Sequence, residues 1–194
     1  AASFCHMLND IMQSLLTSLY PLLKANYALD FGQIGLLTFA FQVTASLLQP
    51  AVGVATDKWQ MPFSLPAAML STCAGLITLA YAHSFPVLVL GACLIGIGSA
   101  IFHPEASRVA RVASGGRHGL AQSFFQVGGN TGTAIGPLLA AFIVIPRGQE
   151  VLSWFSIIAL TGFAILSWVS IWYSRHRRSA AGKRPGSREL PLPR

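Results

Sequence analysis

The chain is short of charge. Of its 194 residues only 10% are Asp, Glu, Lys or Arg, while 53% are hydrophobic; an ordinary soluble domain is roughly a quarter charged. A water-soluble fold could not cover itself with so few charges, which excludes most soluble enzyme and binding-module classes. Cysteine is scarce as well. Cys5, Cys73 and Cys93 stand in separate apolar stretches with no pair at metal or redox spacing, and read as small buried side chains. Nucleotide-binding signatures are missing: Gly96-Ile97-Gly98 and the loop Gly115 to Gly119 follow no strand and lead to no Gly-Lys-Ser/Thr, so no ATPase is expected. His103-Pro104-Glu105 lacks the paired cysteines of a zinc deaminase, and no metal site or enzymatic activity is expected. The net charge of +7 is spread between the apolar stretches rather than gathered in one patch, so no nucleic-acid partner is expected. The front has no basic region, cleavage site or initiator Met, and the expectation is that residues precede it.

What the sequence has in abundance is long apolar runs. A helix needs about 20 such residues to cross a bilayer. Stretches near 4–24, 33–56, 63–82, 87–107, 119–145 and 151–173 qualify, separated by short turn-prone breaks that force successive helices to run antiparallel. The predicted fold class is therefore an all-α membrane protein, a bundle of six transmembrane helices over 1–173. Residues 174–194 are basic and rich in Pro, Gly and Ser, and read as a disordered linker or tail. Lys24 and Arg147 fall on one side of such a bundle. The other 11 of the 13 basic residues fall on the opposite side, among them Lys58, Arg108, Arg111 and Arg117, which predicts that both ends are cytoplasmic.

Polar residues inside the spans carry the functional reading, because a charged side chain at mid-membrane costs about 2.5–3.5 kcal/mol even on a mild scale. In span one, His6, Asn9, Asp10, Gln13 and Thr17 share one helical stripe; Gln42, Ser46 and Gln49 do so in span two, and Gln122, Gln126 and Asn130 in span five. Span four ends on His103, Glu105 and Arg108, whereas spans three and six hold no ionisable residue. Spans one, two, four and five are thus expected to line a wet cavity, with three and six outside. The bland alternative is that these groups only bond neighbouring helices. Pro104 predicts a kink or helix end beside His103. Glu105 is open to two readings, a proton site with His103 or a neutralising partner for Arg108 three residues on. Gly128, Gly132 and Gly136, followed by Pro137, form a close-packing face on span five.

Two segments resemble signatures of the major facilitator superfamily. Gly53-Val54-Ala55-Thr56-Asp57-Lys58 is similar to the start of its motif after the second helix, although Gln60, Met61 and Pro62 depart from it; Gly132-Thr133-Ala134-Ile135-Gly136-Pro137 looks like the front of its antiporter motif, with Ala140 and Ala141 in place of trailing glycines. Further runs, including Phe102 to Arg111 and Ala113 to Ser123, resemble its bacterial drug exporters. The resemblance implies a twelve-helix inner-membrane exporter of a phosphonate antibiotic in which this chain is the first half, to be completed by a C-terminal half or a second copy. It implies a gating role for Gly53, Asp57 and Lys58. It also implies that small-molecule drug and protons are the partners, the proton gradient standing in place of any cofactor. Among the polar residues Asp10 is ranked first as proton carrier, with His6 one turn away, and His103 second. A non-transporting membrane scaffold or an inactive truncated copy is the competing reading.

Overall fold

The computed structural model describes residues 1–59 and 61–181, and among them every regular element is helical. Helix α1 (Ala2–Ser18) is followed after a single residue by α2 (Tyr20–Tyr27). Pro21 explains the break: it has no N–H for the carbonyl of residue 17. Ala28, in the left-handed region at φ 49°, closes α2. Asp30 then opens α3 (Phe31–Gln42) with a capping box: its Oδ1 accepts from Gln33 N at 2.7 Å, and Gln33 Oε1 accepts from Asp30 N at 3.0 Å. A π-helical turn, Val43–Leu47, joins α3 to α4 (Leu48–Lys58). Helices α5 (Ser64–Ala80) and α6 (Phe85–Val112) follow, then α7 (His118–Leu139), which runs through a second π turn, Ala140–Val144, into the short α8 (Ile145–Arg147). Gly148, at φ 93°, turns the chain into a 3-10 segment, Gln149–Phe155, and α9 (Ser156–Ala181).

Among the described residues four runs are long and apolar enough to cross a membrane: Phe31–Lys58, Phe85–Val112, His118–Arg147 and Gln149–His176, of 28, 28, 30 and 28 residues. The other two expected spans fall short of that measure. Helix α5 is apolar but has 17 residues, and the first stretch is divided at Leu19 into pieces of 17 and 8 residues. The last helix runs past Tyr173, and residues 182–194 of the expected tail lie outside the described residues.

Helix α6 is the hub, packing against α1, α3, α4, α5 and α7. Pro104 does not end it; the helix continues through the proline to Val112. Glycine makes its contacts close: a methyl at Gly98 would press on Thr72 of α5, and one at Gly96 on Thr44 of the π turn. Helices α1 and α7 form the other main pair. Helix α5 buries Met69 and Leu76 completely yet exposes Leu70 and Ile77, and α9 packs against it while exposing Ile157 and Trp168.

Candidate functional site

Helix α1 meets α7 along small residues, and this close approach positions the polar stripe. A methyl at Gly132 would strike the backbone carbonyl of Met7, one at Gly136 would strike Ser14 Oγ, and one at Gly129 would lie 2.5–2.6 Å from His6 ring atoms. The glycine line on α7 has two flanks. Gln122, Gln126 and Asn130 are exposed on one; the other exposes Leu120, Phe124, Val127 and Leu138. Ser107 of α6 donates to Gln122 Oε1 at 3.0 Å, so the polar flank turns toward α6.

Between α1, α6 and α7 the chain assembles an Asp–His–His cluster. Asp10 Oδ2 lies 3.3 Å from His6 Nε2, and its Oδ1 lies 3.4 Å from His103 Nε2. His6 is 3% exposed, Asp10 16% and His103 27%, so the cluster is sealed at His6 and open at His103. Each ring has its other nitrogen committed. His6 Nδ1 is 2.8 Å from the Phe125 carbonyl, and His103 Nδ1 is 2.9 Å from the Ser99 carbonyl. A carbonyl oxygen only accepts, so both Nδ1 atoms carry hydrogen and both Nε2 atoms face the carboxylate. In the neutral rings those Nε2 atoms are lone pairs opposed to carboxylate lone pairs. A proton between Asp10 and either ring turns repulsion into a hydrogen bond, so the geometry itself holds room for protons. Phe125 stacks on His6 at a centroid distance of 4.0 Å, and Phe102 adds a tilted contact at 5.9 Å, which fixes the ring plane.

Amides complete the surroundings. Asn9 Nδ2 and Gln13 Nε2 donate to Asp10 Oδ1 at 3.2 and 3.3 Å, and Ser99 donates to Gln13 Oε1 at 2.9 Å. Sequence reasoning missed Ser99, although its place one turn before His103 was a usable signal.

Near the Lys58 end of the bundle a second charged group forms. Arg108 Nη2 donates to Asp57 Oδ1 at 2.6 Å, its Nη1 reaches the Thr56 carbonyl at 3.3 Å, and the same Nη1 forms an ion pair with Glu105 Oε1 at 2.9 Å. Ser64 donates to Glu105 Oε2 at 3.4 Å. Of the two readings of Glu105, the geometry holds it with Arg108 and away from the Asp10 cluster. Lys58 stands over the Trp59 ring at 5.1 Å instead of joining this group. The tie between Asp57 on α4 and Arg108 on α6 was not anticipated.

The remaining sequence candidates lie apart. Gln49 donates to the Ala45 carbonyl of its own helix at 2.8 Å, and Gln42 and Ser46 are exposed beside it. Gly53 faces open space, and Pro137 is exposed next to the buried Gly136.

The sequence matches the Major Facilitator Superfamily over residues 2–193. It is 53% identical over 194 residues to the fosmidomycin resistance protein of Escherichia coli (strain K12), covering 100% of this chain and 48% of that protein. It is 42% identical over 179 residues to the uncharacterized MFS-type transporter YfnC of Bacillus subtilis (strain 168), covering 92% of this chain and 44% of the relative. A more distant relative is the probable nitrate transporter NarT of Staphylococcus epidermidis, 28% identical over 157 residues, 79% of this chain and 39% of that protein. The chain thus spans about half the length, or less, of the curated relatives it matches.

Proposed function

The chain belongs to the Major Facilitator Superfamily, and on that premise we propose that it acts as the N-terminal half of a proton-driven drug exporter of the bacterial inner membrane. All six helical runs cross the bilayer in this reading, including the split first run and the short α5, with both ends in the cytoplasm. The observation that carries it is the Asp10 carboxylate, held between the Nε2 atoms of His6 and His103 on the open side of the bundle. A proton shared between this carboxylate and either imidazole completes a hydrogen bond there, and it can be given up again when the cavity opens to the other side.

Asp10 is the proton carrier and His103 the second site, reached from the cavity. Arg108, Glu105 and Asp57 join α4 to α6 within this half and hold the exposed Asp57 carboxylate at its end, where it is placed for a gate contact with the other half as the two rock. Gln42, Gln126 and Asn130 face the cavity that a C-terminal half closes, where drug is bound between the halves. Identity to a fosmidomycin resistance protein makes a small anionic phosphonate the first substrate to test.

The test is uptake of labelled fosmidomycin into everted membrane vesicles containing the full-length protein. With an acidified lumen the drug accumulates inside, and a protonophore abolishes the accumulation. Uptake equal to that of vesicles lacking the protein, or untouched by the protonophore, overturns the proposal.

A further inference from the structure

We infer that His6, Asp10 and His103 also form a site for a divalent first-row transition-metal ion of the Zn2+ class. One ligand atom from each residue lies within 4.8 Å of the others. Asp10 offers a different oxygen to each ring, Oδ2 at 3.3 Å from His6 Nε2 and Oδ1 at 3.4 Å from His103 Nε2, so the carboxylate stands between two imidazole nitrogens at ligand-like spacing, neighbouring ligands of a tetrahedral ion with bonds of about 2.0–2.1 Å being roughly 3.3–3.5 Å apart.

The outer contacts are those a metal site needs. A metal-bound imidazole is held in one tautomer by donating its other N–H, commonly to a backbone carbonyl. Both rings already do this, His6 to Phe125 and His103 to Ser99, which leaves both Nε2 lone pairs directed at the same carboxylate. That carboxylate is steadied by the Asn9 and Gln13 amides. Two imidazoles and one carboxylate suit Zn2+, Co2+ or Ni2+, whereas Mg2+ and Ca2+ require a mainly oxygen shell. Three protein ligands leave a fourth position on the side where His103 opens, accessible to water or to an anionic oxygen.

Binding of the ion is a property of these three side chains alone. Its effect on export rests on the proposed coupling role of Asp10, because metal and protons would compete for the same lone pairs, and a bound ion would arrest gradient-driven transport.

The experiment titrates the purified, detergent-solubilised protein with Co2+, reading its visible absorption bands, and then displaces it with Zn2+. One saturable equivalent is expected. His6→Asn and His103→Asn each keep an N–H for the backbone carbonyl while removing the ligating Nε2, and each weakens binding by more than the roughly 10- to 100-fold that losing a mere supporting contact of a ligand costs. His83→Ala and His118→Ala leave it unchanged, and thermal melting without metal verifies that the variants are folded. Absence of saturable binding overturns the inference, as does Co2+ binding that persists in both Asn variants. Binding lost in the variants alongside export insensitive to Zn2+ supports the metal site and removes coupling from Asp10, so the two readings fail separately.

Discussion

At the scale of single residues, the account rests on how little room surrounds the α1–α7 contact. Gly132 faces the backbone carbonyl of Met7, which cannot swing aside as the end of a long side chain can, and Gly136 faces Ser14. Gly132→Ala should destabilise the protein by about 1–3 kcal/mol, the usual range for overpacking a tight interface. Gly35→Ala, with nothing within 4 Å of the added methyl, should be neutral or slightly stabilising. Thermal melting in detergent checks the pair; a Gly132→Ala protein no less stable than the Gly35→Ala protein would show that close approach does not govern Gly132. Some of this scale was legible in the sequence. His6 and Asp10 are one helical turn apart, and that spacing alone makes them neighbours. His103 is 93 positions from Asp10, and only the rotation of α6 against α1 brings them together; periodicity gives a face but not the partner that the face meets. For the same reason Glu105 carried two readings until Arg108 was seen between it and Asp57.

At the scale of elements, α4 and α6 are fastened by the Arg108 contacts to Asp57 and the Thr56 carbonyl. Because the Asp57 carboxylate is exposed, the pair contributes no more than about 1 kcal/mol. The proposed gate role of Asp57 predicts that Asp57→Asn in the full-length protein slows turnover by about tenfold while drug affinity stays near normal. Paired measurements of binding and transport rate decide this, and lost binding in a folded variant would move Asp57 into the substrate site. Element boundaries were only partly legible. The apolar runs located the helices, whereas the capping box of Asp30 and Gln33, which fixes the start of α3, went unread. The π turns after Gln42 and Leu139 had no plain signal, because their residues continue the same apolar pattern and only the backbone bonding changes. Of the kink or helix end expected at Pro104, the helix end does not occur. A helix packed on five others tolerates one missing N–H, so α6 continues where an isolated helix would stop.

At the scale of the whole molecule, the bundle divides its surfaces by chemistry. Polar Gln42, Gln126 and Asn130 are exposed, and so are apolar Ile77, Leu160 and Trp168. Exposure alone does not separate cavity from lipid, so single-cysteine labelling of the full-length protein in membranes should. Water-soluble thiol reagents are expected to modify cysteines at Gln42, Gln126 and Asn130 and to spare those at Ile77 and Ile165; equal labelling of all five would refute the division. The central claim is that Asp10 couples proton movement to drug movement, and it has one decisive measurement. Full-length Asp10→Asn protein is reconstituted in vesicles and tested twice, for drug accumulation driven by a pH gradient and for drug exchange down its own gradient at uniform pH. Accumulation lost while exchange persists is the predicted result. An Asp10→Asn protein that still concentrates drug against its gradient as well as the unaltered protein does would contradict the account.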